Sequence, residues 1–160
     1  MALTFKGLGL VEDDYPGKTQ YVMALDSGTT SVRALIVDEY GIIVASARRH
    51  IKNIYPHPGW VEQDPMEILA AQIAVMMEVQ FKSGIHSDAI AAIGIANQRE
   101  TTVVWDRDSG QPIHNAIVWQ CRRTAPMADE LVRAGFENTI RAKTGLKPDA
   151  YFSGTKVKWV

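Results

Sequence analysis

The stretch Gln20-Tyr21-Val22-Met23-Ala24-Leu25-Asp26-Ser27-Gly28-Thr29-Thr30-Ser31-Val32-Arg33-Ala34-Leu35-Ile36-Val37 decides the fold. Both ends are apolar runs of strand length, and the middle, Asp26 to Thr30, is a set of turn formers. After Val37 the turn Asp38-Glu39-Tyr40-Gly41 leads into a third run, Ile42 to Ile51, which alternates in places. Three strands joined by short glycine-containing turns predict an antiparallel meander.

Further along, Asp64-Pro65-Met66-Glu67 opens a helix. Asp64 suits the cap, Pro65 the first helical position, and Glu67 would close a capping box. Ile68, Ala71, Val75 and Val79 recur at helical spacing, and Leu69, Ile73 and Met76 widen the stripe. That width predicts a largely buried helix, ended by Gly84. The small apolar run Ile90 to Ala96 predicts a strand covered on both faces. Thr101 to Trp105 and Ala116 to Trp119 read as further strands, and Arg123 to Arg133 and Phe136 to Lys143 as helices ended by Gly135 and Gly145. Ser153 is placed to cap a last helix over Lys156 to Val160. Strands, a crossover helix, another strand and more helices form an α/β pattern, an order that resembles the actin-like and sugar-kinase superfold.

Composition narrows the function classes. The 160 residues are 46% hydrophobic and 22% charged, as in a globular domain. A net charge of −1 leaves no overall field to attract nucleic acid or anionic lipid. From Trp119 to Val160 eight Lys/Arg face four Asp/Glu, but they are scattered among apolar residues, as on a solvated face. Cys121 is the only cysteine, which excludes an intrachain disulfide and fits a reducing, cytoplasmic setting. His50, His57, His86 and His114 lack metal-ligand spacing. No apolar stretch reaches the length of a membrane span. Residues 1–19 lack the basic start and small-residue cleavage site of a signal peptide, and read as a loosely ordered leader.

Four constellations carry possible chemistry. Asp26 to Arg33 lies at a hairpin turn. Gly28 allows close backbone approach, Thr29, Thr30 and Ser31 offer hydroxyl and N–H donors to anionic oxygens, and Arg33 adds a charged fork. Asp26 suits a magnesium ion held through water. On local grounds alone an ordinary hairpin turn is the preferred reading of the same residues. Asn97-Gln98-Arg99-Glu100 follows an apolar strand, where ligands of open α/β sheets gather, and Arg99 with Glu100 suits vicinal hydroxyls. A local salt bridge is the alternative. Trp119 in Trp119-Gln120-Cys121-Arg122-Arg123 presents an indole face to a polyol or packs a core. Arg122 and Arg123 are expected in the first turn of the following helix, facing solvent or an acidic partner. Tyr151 in Tyr151-Phe152-Ser153-Gly154-Thr155-Lys156 reaches a ligand through its hydroxyl or packs a loop. Tyr55 to Trp60 reads as structural, with Trp60 a packing anchor.

These pieces occur in one order, and that order is similar to the amino-terminal part of the glycerol kinases, in the FGGY carbohydrate kinase family. The matching stretches are Ala24 to Ser31, Tyr55 to Glu67, Ala91 to Thr102, Asn115 to Thr124 and Tyr151 to Trp159. The resemblance implies an actin-like, ribonuclease H-like mixed sheet, with the chain over 20–160 an incomplete first domain of a two-domain kinase. It implies transfer of the ATP γ-phosphoryl group to a terminal hydroxyl of glycerol, with magnesium, and a homo-oligomer for the full-length protein. Carried over, glycerol is bound by Arg99, Glu100, Trp119 and Tyr151, phosphate by Thr29, Thr30, Ser31 and Arg33, and the metal by Asp26. Ser27 departs from a glutamine common in the family. The family's aspartate base and its adenine-binding domain are expected beyond Val160, so this chain alone is expected to be inactive. The alternative is a non-catalytic polyol-binding or assembly module.

Overall fold

The computed structural model describes residues 20–160, so the leader assigned to residues 1–19 lies outside them. The described residues divide into two compact units, residues 20–50 with 69–97, and residues 51–68 with 98–160.

The first unit is built on the expected meander. Strands β1 (Tyr21–Ser27), β2 (Ser31–Val37) and β3 (Ile43–His50) pair antiparallel in sequence order. The chain then crosses over through helix α1 (Pro65–Ser83) and a short 3-10 turn, Ser87–Ala89, to β5 (Ile90–Asn97). β5 lies parallel to β1, giving the order β3-β2-β1-β5. Val32, Ala34 and Ile36 are fully buried and alternate along β2, so one face of the central strands makes the core. Gln72 of α1 donates from Nε2 to the carbonyl of Arg33 at 3.1 Å, tying helix to sheet.

Two expectations are corrected here. β5 is not covered on both faces: it ends the sheet, and Ile93 and Ile95 are 52% and 75% exposed. Its small-residue composition marks pairing with β1 rather than enclosure. Nor is α1 largely buried. Only Val75 and Val79, one turn apart, are buried on it, while Leu69, Ile73, Met77 and Phe81 are exposed. A single sheet beneath a helix covers one stripe, and the wider apolar band is left facing out. Gly84 does end the helix, at φ 65°.

The second unit holds the first turn of α1 and a two-stranded sheet of β4 (Glu62–Gln63) and β6 (Ala116–Ile117). Asp64 caps α1 as expected, accepting from the Met66 N–H at 2.8 Å. Glu67 does not close a capping box; its carboxylate accepts from the Lys52 N–H at 3.3 Å. The strands expected at Thr101–Trp105 and Ala116–Trp119 shrink to isolated bridges, Thr102 with Ile117 and Trp105 with Pro112, and to β6 itself. Helices α2 (Ala125–Arg133), α3 (Glu137–Thr144) and α4 (Ser153–Trp159) complete the unit. Pro126 fits only the first turn of α2, which therefore starts later than Arg123. Ser153 is the first residue of α4, with Phe152 at the cap position.

Arg123 is the largest departure. It is 8% exposed, and its guanidinium lies 4.1 Å from the ring centroid of Trp60 and 4.7 Å from that of Trp159. Nη2 donates to Glu62 Oε1 at 2.6 Å, Nε to Cys121 Sγ at 3.0 Å, and Asn115 donates to Glu62 Oε2 at 2.8 Å. Burial alone would raise the Glu62 carboxyl, but hydrogen bonds from Asn115 and Arg123 outweigh it and hold the carboxyl below its ordinary value. Its neighbour Arg122 is exposed and pairs with Asp149 at 2.8 Å, as expected of a solvent-facing arginine. Replacing Glu62 by alanine leaves the Arg123 charge buried without its carboxylate. The expected loss is about 3–5 kcal/mol in urea unfolding, against under ~1 kcal/mol for Asp149→Ala at the exposed pair. Equal effects would contradict the burial argument.

Candidate functional site

The sequence-predicted residues fall into two groups, one in each unit. In the first unit, Asp26, Thr29, Thr30, Ser31 and Arg33 frame the β1–β2 turn, with Ser27 opposite Val32 and Asp26 opposite Arg33. The turn is closed by the Gly28 N–H donating to the Ser31 carbonyl at 3.0 Å. A Cβ on Gly28 would sit 3.0 Å from that same oxygen, so space rather than backbone angle selects glycine. Thr30 and Arg33 are exposed, Asp26 is half-buried and Ser31 is buried. Sequence reasoning missed Arg48. It lies opposite Arg33 on β3 and donates from Nε to Ser31 Oγ at 2.9 Å. Like charges opposed across strands cost stability unless an anion or carboxylate offsets them, and the alternation of β3 was the available signal.

In the second unit, β5 has ended at Asn97 and the chain turns through Gln98, Arg99 and Glu100. Glu100 adopts φ 67°, the left-handed region that costs a non-glycine residue about 1–2 kcal/mol. Its Oε2 accepts from the Ser153 N–H at 3.2 Å and from Ser153 Oγ at 3.1 Å. Thus a carboxylate distant in sequence satisfies the first turn of α4, the role that sequence reasoning gave to Ser153. Tyr151 meets Trp119 edge-to-face, with ring centroids 5.8 Å apart, and both are half-buried. Arg99 is exposed on the same turn as Glu100, without a hydrogen-bond or ion-pair partner among the described residues.

Behind this wall runs a polar relay. The Trp119 N–H donates to Thr101 Oγ1, which donates to Gln98 Oε1 at 3.0 Å. Gln98 Nε2 donates to Gln63 Oε1 at 2.9 Å, and Gln63 Nε2 to Asn53 Oδ1 at 2.7 Å. Lys156, which sequence reasoning left unassigned, is fully buried and donates from Nζ to the carbonyls of Glu100 and Tyr151, each at 2.7 Å. Arg99, Glu100, Trp119 and Tyr151 thus belong to one turn, one relay and one helix start. A cation, a carboxylate and an aromatic edge together can donate to, accept from and cover a small polyhydroxy compound. Among the described residues no three His, Cys, Asp or Glu side chains converge to hold a metal ion. The single carboxylate of Asp26 fits a magnesium ion that keeps most of its waters and phosphate ligands.

A meander continued by a parallel crossover strand, with polar residues directly after that strand, places the molecule in the actin-like class of α/β folds used by sugar kinases. The chain belongs to the FGGY family of carbohydrate kinases, whose N-terminal domain pattern matches residues 21–160. A glycerol kinase of Caldanaerobacter subterraneus subsp. tengcongensis is 63% identical over 141 residues, 88% of this chain and 28% of that protein. Glycerol kinase 2 of Thermotoga maritima is 56% identical over the same shares. The crystal structure of Plasmodium falciparum glycerol kinase with ADP superposes with a TM-score of 0.80 at 34% identity, covering 89% of this chain and 28% of that one. Xylulose kinase from Rhodospirillum rubrum gives 0.80 at 27% identity, with 88% and 28% covered. The chain therefore spans about 28% of the length of these relatives.

The buried amine of Lys156 has a measurable consequence. Burial pushes it down from 10.5 to about 8, against the opposing pull of Glu100, Cys121 and Asp149. The unfolded chain keeps that proton up to 10.5, so between about 8 and 10.5 it binds more protons than the native state. Stability is expected to climb with pH across this window, by an order of magnitude of ~1.4 kcal/mol per pH unit of displacement. Below about 8 the gain is lost. Urea unfolding at intervals from neutral to alkaline pH checks this, with Lys156→Met expected to flatten the climb.

Proposed function

We propose that residues 20–160 form the amino-terminal part of the first domain of an ATP-dependent glycerol kinase acting in the cytoplasm. The assembly of Glu100, Trp119 and Tyr151 through Ser153, Thr101 and Lys156 is the observation that carries this reading. Identity supports glycerol over a sugar substrate: curated glycerol kinases reach 63%, and among solved structures a glycerol kinase shares 34% where xylulose and gluconate kinases share 25–29%.

In this reading Arg99 donates to one glycerol hydroxyl and Glu100 accepts from another, while the Trp119 and Tyr151 edges cover the carbon chain and shed water from it. Orientation of the terminal hydroxyl is the main contribution, since phosphoryl transfer is largely positioning and charge stabilisation. Thr29, Thr30 and Ser31 cradle the ATP phosphates, and Arg33 takes the charge of the transferred group, with Arg48 fixing the Ser31 hydroxyl. Asp26 holds magnesium through water. When bound there, such an ion would supply positive charge to offset that of the phosphates.

Neither of the two carboxylates assigned to the site is left to accept the proton of the attacking hydroxyl. Asp26 belongs to the metal side, and Glu100, with Oε2 held by Ser153, is given to orienting a substrate hydroxyl. The purified chain by itself is therefore expected to form no glycerol-dependent ADP in a coupled assay, and turnover above the blank would contradict the assigned roles. Glycerol binding is expected in the millimolar range, given the limited free energy available per ligand atom. Trp119→Ala should weaken it about tenfold, seen as NMR shifts on titration, while leaving ATP-induced shifts at Thr29 to Arg33 unchanged. Equal loss of both would sink the role given to Trp119. A second reading, an assembly module, draws on the exposed Ile93, Ile95, Met77 and Phe81. Sedimentation of a monomer at high concentration would count against it.

A further inference from the structure

Lys156 has none of its surface exposed. A buried ammonium is costly, and lysine is among the residues least often enclosed without partners. Here the partners are specific. Both recorded bonds of Nζ go to backbone carbonyls, of Glu100 and of Tyr151, each at 2.7 Å. These carbonyls belong to segments far apart in sequence, and each segment carries a side chain of the polyol wall. Glu100 also sits at φ 67°, a conformation that persists only where its surroundings hold it. Its carboxylate is held by Ser153, at 3.1 Å from Oγ. Ser153 and Lys156 lie three residues apart on α4, and therefore on one helix face. The first turn of α4 grips Glu100 at both ends, side chain through Ser153 and backbone through Lys156. No shorter or uncharged aliphatic side chain at that position can reach both oxygens with N–H donors.

We propose that Lys156 is a positioning residue of the polyol site, whose buried amine clamps the backbones of Glu100 and Tyr151 and so sets the spacing between carboxylate and aromatic edge that a small vicinal polyol reads. The inference rests on the polyol reading above. It assigns Lys156 no contact with substrate. Nor does it require a change of charge: the groups facing the amine are Glu100, Cys121 and Asp149, and the two carbonyls accept from either protonation state.

The test is an NMR titration of the isotopically labelled full chain and of Lys156→Met with glycerol, beside thermal unfolding of both. Methionine keeps the length and removes the donors. The expected result is a folded variant whose shift changes centre on Glu100, Tyr151 and Ser153, and whose glycerol affinity falls about tenfold, the scale of losing a charge-assisted hydrogen bond. A lower melting temperature with unaltered glycerol affinity means a structural role only and overturns the proposal, while the polyol reading stands. If the unaltered chain binds no glycerol, the polyol reading falls and takes the proposal with it. Should Lys156→Met fail to fold, the unaltered chain decides. Glycerol is expected to shift the Lys156 side-chain nitrogen resonance together with the Ser153 amide, and a Lys156 resonance unmoved at saturation overturns the proposal.

Discussion

The buried guanidinium of Arg123 is the interaction on which the second unit depends. It cannot shed its charge, so its surroundings compensate, although the buried Nη1 has no hydrogen-bond partner among the described residues. Glu62 supplies the counter-charge, Asn115 holds the far oxygen of that carboxylate, and Trp60 and Trp159 enclose the planar group from their ring faces. One cage thereby joins the loop before β4, the strand itself, the turn after β6 and the last residues of α4. Helix α4 is seven residues long, too short to be stable by backbone bonding alone. Its C-terminal end is fixed by Trp159 in the cage, and its N-terminal end by Ser153 on Glu100. The site residues Glu100 and Tyr151 are in turn held by Lys156 from the middle of the same helix. The chain of dependence runs from a packing cluster, through a short helix, to the residues proposed to bind substrate.

Legibility in the sequence followed the range of the interactions. The β1–β2 hairpin is made within eighteen residues, and its strands, turn and glycine were all read correctly because period-two burial and turn chemistry are local. The cap at Asp64 and the stops at Gly84 and Gly145 were legible for the same reason. The errors share another cause. β5 and α1 are as apolar as buried elements, yet composition says nothing about how many neighbours an element has, and here α1 is covered along one stripe while β5 is exposed along nearly its whole length. Arg123 looked like a solvated helix residue because its partners, Glu62 and Trp60, stand some sixty positions earlier. Lys156 gave only the weak signal of a charge between apolar neighbours at helical spacing. The members of the polyol wall were each ambiguous alone, and only their order along the chain singled them out.

The two groups of residues proposed to bind ligands are built in different physical ways. At the β1–β2 turn the donors are backbone N–H groups and short hydroxyls, so the geometry is fixed by the hairpin and needs only a residue without a side chain at Gly28. In the proposed role such a device would recognise the charge and shape of oxygens shared by every nucleotide, and it could be common to kinases with different sugars. At the turn after β5 the proposed recognition would be made by long side chains, whose positions must be imposed from outside. That accounts for a strained Glu100, an edge-to-face aromatic pair and a relay of amides behind them. Specificity for one small polyol belongs where geometry is imposed rather than inherited from the fold.

The two enclosed cations of the second unit also differ in a way that suits their places. Arg123 is tied to a carboxylate and two rings, and removing its partner would strand a charge that cannot leave. Lys156 faces carbonyl oxygens, and burial has brought its amine down to about 8. An ammonium has three N–H donors and a neutral amine has two, and two carbonyls are all that this amine must serve. Loss of the proton therefore relieves the cost of burial without releasing either segment. The stability of the unit is linked to pH through this lysine while the spacing of Glu100 and Tyr151 is not. A permanent charge anchors the scaffold, and a dispensable one holds the site.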